Sequence, residues 1–128
     1  MLLAQRVRNG LICYFEIVSS YEEQRAYERN VPIANVPAEV ICMWEDSVDG
    51  DHLDWFTEPA FSPSERAAIR EFHAVWKGVI EDTPQSLLAL SELIGTEPWE
   101  RLRLAAEAAL GVFNVRGKLF DEPEILPD

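Results

Sequence analysis

The sequence predicts an all-α fold, a compact single-domain bundle of about five helices with one acidic loop. Three observations carry that expectation. Apolar residues recur at spacings of three and four along most of the chain, the period of a helix with one buried face. Serine or threonine followed by proline or glutamate stands at several points where such a run begins, which is the signature of a helix start. The 128 residues are 48% apolar and 27% charged, a globular profile and a length suited to one domain spanning 1–128.

Leu3, Val7, Leu11, Phe15 and Val18 define the first helix over residues 2–19, with Tyr14 and Tyr21 on a neighbouring line. The run Leu11–Val18 also suits a buried strand, because it is rich in β-branched and aromatic residues. Helix is preferred, since Ala4–Arg8 continues the same face without a turn signal. Ser20-Tyr21-Glu22-Glu23 has the form of a capping box. It either opens a second helix or bends the first one, through about Arg29, and Pro32 stops it.

Val31–Val36 is then a connector, and Pro37 fits the first turn of a helix starting after Asn35 or Val36. Its stripe of Val40, Ile41 and Trp44 runs into an acidic stretch. Gly50 interrupts regular structure there, and the chain through Pro59 reads as a long loop with room for a helical turn at Leu53–Phe56. Ser62-Pro63-Ser64-Glu65 is the clearest helix start. Behind it Ala68, Ile69, Phe72, Val75, Trp76, Val79 and Ile80 keep the helical period for about five turns, which marks the central helix.

Thr83-Pro84 repeats the cap-plus-proline device before a short helix bearing Leu87, Leu88, Leu90 and Leu93, which Gly95 closes. Thr96 caps a last helix with Pro98 in its first turn. Trp99, Leu102, Ala105, Ala106, Ala109, Leu110 and Phe113 share one side of it, and the small alanines permit close approach of a neighbour. Residues 118–128 form an acidic, proline-containing tail.

Charge is the most unusual property of the chain. It carries 23 acids against 11 bases, a formal net charge of −12. Between Asn30 and Glu65 there are eight carboxylates and no lysine or arginine. The stretch W-E-D-S-V-D-G-D-H-L-D-W-F places Glu45, Asp46, Asp49, Asp51 and Asp54 between Trp44 and Trp55. Like charges held together repel, so a patch of one sign reads as a surface built to meet the opposite sign. The excess of acid argues against binding nucleic acid or an anionic membrane, and points to a basic protein as partner. Trp44 reads as a core anchor. Trp55 is the candidate interface anchor, since tryptophan is enriched at interface hot spots.

Other chemistries are weaker. The pattern D-x-x-D-G-D-H-x-D invites a metal, and Asp49, Asp51, His52 and Asp54 would be its ligands in a metal-binding or metal-dependent hydrolytic protein. Aligned with a calcium loop on Gly50, however, Phe56 falls where the bidentate glutamate belongs, so no metal or cofactor is expected. Acids on a loop also lack the burial that tunes a carboxylate pair for catalysis. His73 reads as a hydrogen-bonded or half-exposed residue of the central helix. No phosphate loop, H-E-x-x-H or G-x-S-x-G motif occurs, and the chain is not expected to be an enzyme. Cys13 and Cys42 lie in apolar runs without C-x-x-C spacing and read as buried free thiols. The N-terminal run lacks the apolar core of a signal peptide, and no stretch has the length of a membrane span, so a cytoplasmic protein is expected.

Three segments, V-P-A-E-V-I-C-M-W-E-D (Val36–Asp46), F-S-P-S-E-R-A-A-I-R-E-F-H (Phe61–His73) and E-P-W-E-R-L-R-L-A-A-E-A-A-L (Glu97–Leu110), resemble the small acidic immunity proteins of bacterial polymorphic toxins, including contact-dependent growth inhibition systems. The resemblance implies a protein that binds a cognate toxin domain and blocks it without catalysis. On that reading Glu45, Asp46, Asp49, Asp51 and Asp54 face a basic toxin, such as a nuclease with a cationic cleft, and Trp55 anchors it. An acidic adaptor or DNA mimic is the alternative that differs only in its partner.

Overall fold

Among the described residues the helix starts and apolar runs become six helices: α1 (Leu2–Val18), α2 (Tyr21–Asn30), α3 (Val36–Ser47), α4 (Pro63–Asp82), the single turn α5 (Leu90–Leu93) and α6 (Glu97–Phe113). The computed structural model of the chain describes residues 2–33, 35–47, 60–83 and 89–118. No strand occurs among the described residues, so Leu11–Val18 is helix. The chain is an all-α bundle.

Local chemistry sets the boundaries. Ser20 breaks α1 from α2 by adopting extended backbone and accepting a hydrogen bond from Glu23 N at 3.1 Å, so the first two helices are separate. Asn35 Oδ1 accepts from Ala38 N to open α3. Ser62 and Glu65 complete a reciprocal capping box at α4, with Pro63 as its first residue. Thr96 acts differently from the sequence expectation, and the residues that Thr83 was expected to cap lie outside the described ones. The Thr83 hydroxyl donates back to Val79 O and closes α4, and the Thr96 hydroxyl donates to Leu93 O without capping α6. Among the described residues the short helix is Leu90–Leu93, where Glu92 accepts from Ala89 N. The expected helix content of residues 84–88 lies outside the described residues.

α4 and α6 run antiparallel, since Glu65 meets Arg116 at one end and Asp82 meets Arg101 at the other. α6 also lies alongside α1, and α1 in turn packs against α2 and α3. The core between them is aromatic. Phe72 stands 4.5 Å from Trp44 and 5.2 Å from Phe15, ring centre to ring centre, and Phe15 reaches Phe113 at 5.7 Å. Tyr14 lies edge-on to Phe72 and donates its hydroxyl to Val40 O at 2.7 Å, tying α1 to α3. Burial pushes the Tyr14 phenol well above its usual range.

Several polar groups inside the bundle are paired in chains, while Trp76 Nε1 is buried without a hydrogen-bond partner among the described residues. Trp99 Nε1 donates to Gln24 Oε1, and Gln24 Nε2 donates to Val18 O, which holds α2 between α6 and the end of α1. Nearby, Glu100 accepts from the Tyr21 hydroxyl and from two nitrogens of Arg103. Arg103 holds the Glu100 carboxyl well down, at about 2, with Tyr21 helping. Burial and that same carboxylate push Tyr21 up to about 12.

Both cysteines are exposed free thiols, which corrects the expectation of buried ones. An apolar run is not a buried run in a helix. Leu11, Ile12 and Phe15 point inward from α1, and a rotation of about 100° per residue carries Cys13 to the outside. Cys42 lies between the inward Val40 and Trp44 in the same way. No helix among the described residues is long and apolar enough to cross a membrane.

Candidate partner-binding face

α3 delivers the acidic stretch. Its Pro37, Val40 and Trp44 are buried, and Trp44 is sealed against Phe72, Tyr14 and Phe15. Trp44 is therefore the core anchor that the sequence indicated. Its indole N–H donates to His73 Nδ1 at 3.1 Å, and the imidazole stacks on Trp76 at 5.5 Å. His73 is accordingly half-buried and hydrogen-bonded, as expected from its place on α4.

One residue further, the surface begins. Glu45 is exposed, and Asp46 follows in the last turn of α3. No basic residue occurs in that turn. Carboxylates at the carbonyl end of a helix face the negative pole of its dipole, which disfavours each by about 0.3–1 kcal/mol. Helix stability does not account for these acids. Asp49, Asp51, His52, Asp54 and Trp55 lie outside the described residues. Among the described residues, no three His, Cys, Asp or Glu side chains gather as a metal site.

The chain re-enters the core at Ala60 and Phe61, both buried. There the structure holds a centre that the sequence reading did not anticipate. Arg8 of α1 is 0% exposed and distributes its guanidinium over four partners. Nη1 donates to Ala60 O at 3.0 Å and Glu65 Oε1 at 2.6 Å. Nη2 donates to Phe113 O and Gly117 O, and Nε donates to Gly117 O as well. Those contacts match the five N–H groups a guanidinium has. Arg116 adds contacts to Ala60 O and both Glu65 oxygens.

Gly117 supplies its carbonyl from a backbone at φ 74°, a conformation that favours glycine. Burial alone would raise the Glu65 pKa, but hydrogen bonds from Arg116, Arg8 and Ser62 N overcome it and bring it to about 2. One signal of this centre was available. Arg8 falls on the line of Leu11, Ile12 and Phe15, so a base stood on the buried face of α1.

The acidic stretch is thus fixed in the core at both ends, by Trp44 before it and by Ala60–Phe61 after it. Arg8 and Arg116 pair with Glu65, Arg101 with Asp82, Arg103 with Glu100, and Lys118 with Glu16. Each of these acids lies outside residues 44–56. Fold and site together define a small helical domain with an acidic surface and a charge-paired interior. Compared with protein families, with curated proteins and with solved structures, the chain matches none.

Proposed function

We propose that the chain is a non-catalytic immunity protein that acts in the cytoplasm, binding a basic toxin domain through the face built from Glu45, Asp46, Asp49, Asp51 and Asp54. One observation carries the reading: Glu45 and Asp46 end α3 at its unfavourable pole, without a base in that turn. Among the described residues, Arg8, Arg101, Arg103 and Lys118 form ion pairs with acids outside the stretch. Acids kept where they do not help the fold are best explained by what they meet outside it. A cationic cleft that normally takes phosphates is a suitable target, and Trp55 would add an apolar anchor that slows dissociation.

The test is a capture from the source cell with the tagged chain, followed by rate measurements on the protein recovered. A basic toxin domain is expected. Reversal of Glu45, Asp46 and Asp49 to lysine should slow association by about tenfold or more at low salt, with thermal unfolding little changed. Unchanged association by the reversed variant would overturn the assignment.

A further inference from the structure

The alanines of α6 do not all meet a neighbour. Ala105, Ala108, Ala109 and Val112 form one wall of an open groove of about 270 Å³, and Ala68, Glu71, Phe72 and Val75 of α4 form the other. Beside it on α6, Leu104 is 47% exposed. From Ala105 to Val112 the α6 wall runs for about 10 Å at the helical rise, the length of about two turns of a second helix. The alanines of α6 and Ala68 of α4 leave room for its backbone. Glu71 is the charged residue among those lining the groove.

We propose that this groove is a docking site for an amphipathic helix of a partner protein, one carrying a lysine or arginine opposite Glu71. The inference is independent of the reading of the acidic stretch. Charge decides between the possible occupants. A second copy would bring another net charge of −12 and, in a two-fold contact, another Glu71 to a groove whose lining residues include no base. The chain's own tail, D-E-P-E-I-L-P-D, has apolar residues but only acids to set against Glu71. A foreign helix with an apolar stripe and basic flanks satisfies both the walls and the carboxylate.

The experiment uses the full chain and a synthetic peptide of about 14 residues, with leucines at helical spacing and lysines beside them. Two controls accompany it, a scrambled peptide of equal charge and a version with glutamate for lysine. Fluorescence anisotropy should show the patterned lysine peptide binding more tightly than either control. Ala108→Arg, at an exposed position, should weaken it by about tenfold, and Glu71→Lys should shift preference toward the glutamate peptide. Circular dichroism checks that both variants remain folded.

A Glu45→Lys, Asp46→Lys double variant should bind the peptide nearly as the parent does. Loss of binding there, with none in the groove variants, would place the peptide on the acidic stretch and overturn the proposal. Equal binding of the scrambled peptide would overturn it as well. So would sedimentation showing self-association that Ala108→Arg abolishes, since the occupant would then be a second copy.

Discussion

Two places in this molecule treat charge in opposite ways. Around Arg8, a guanidinium and a carboxylate are buried together, and Arg116 closes the pair from the rim at 36% exposure. At the end of α3, Glu45 and Asp46 stand in sequence on a helix pole that disfavours them, without a basic residue in the turn. The first arrangement joins α1, α4 and the segment after α6 across separations of 57 and 51 residues. The second lies at the surface, where Glu45 is exposed. Substitution should therefore act oppositely on the two: changes at the first should damage the fold, and changes at the second should spare it while altering what the protein binds.

The largest effect is expected from Arg8→Met. The thioether fills much of the volume but leaves Glu65 with Arg116 and Ser62 N, and removes donors from the Ala60, Phe113 and Gly117 carbonyls. Breaking a buried pair by deleting one member costs about 3–5 kcal/mol. Urea unfolding of the variant should show a loss of that size. A loss below about 1 kcal/mol would mean that the centre is wet and loosely held, and the contrast with α3 would weaken accordingly.

Acid should reproduce part of that effect without mutation. The Glu65 carboxyl titrates at about 2 in the folded chain against an ordinary value of 4.5. A depressed carboxylate contributes stability that is fully present above the unfolded value and is lost as pH falls through the folded one. The window is therefore from about 4.5 down to about 2, and the contribution is of order 3 kcal/mol by linkage. Urea midpoints across this range should fall in the parent and fall less in Glu65→Gln, whose stability at neutral pH is already lower.

How much of this was legible in the sequence depends on range. The capping box at Ser62 and Glu65 was readable because its partners are three residues apart. The second role of Glu65 was not, because Arg8 and Arg116 reach it through the tertiary fold. Trp44 was readable as core from its stripe with Val40. Cys13 and Cys42 were misread because a run of apolar letters was allowed to outweigh the angle each residue occupies on its helix. Thr96 stood in the right place for a cap, yet its hydroxyl donates backward to a carbonyl of the preceding helix. The open groove between α4 and α6 was hidden for a related reason: periodicity shows which side of a helix is apolar, not how much of that side a neighbour covers.

Between the two charge centres lies the contact from Trp44 to His73, and its loss should be intermediate in size. His73→Leu removes the acceptor of a buried indole N–H while keeping an apolar body against Trp76. An orphaned buried donor costs about 1–3 kcal/mol. Urea unfolding of His73→Leu should show a loss of that size, smaller than that of Arg8→Met.

The smallest effect is the most discriminating, because its sign differs from the others. Glu45→Lys replaces an acid with a base in the last turn of α3, where the helix dipole favours a positive charge by about 0.3–1 kcal/mol. The variant should unfold at a slightly higher urea concentration than the parent, while its association with a cationic partner slows. A residue that weakens the fold and strengthens binding has the behaviour of a functional surface. If Glu45→Lys instead destabilises the chain, the acid has a structural role, and the opposition between the end of α3 and the Arg8 centre no longer holds.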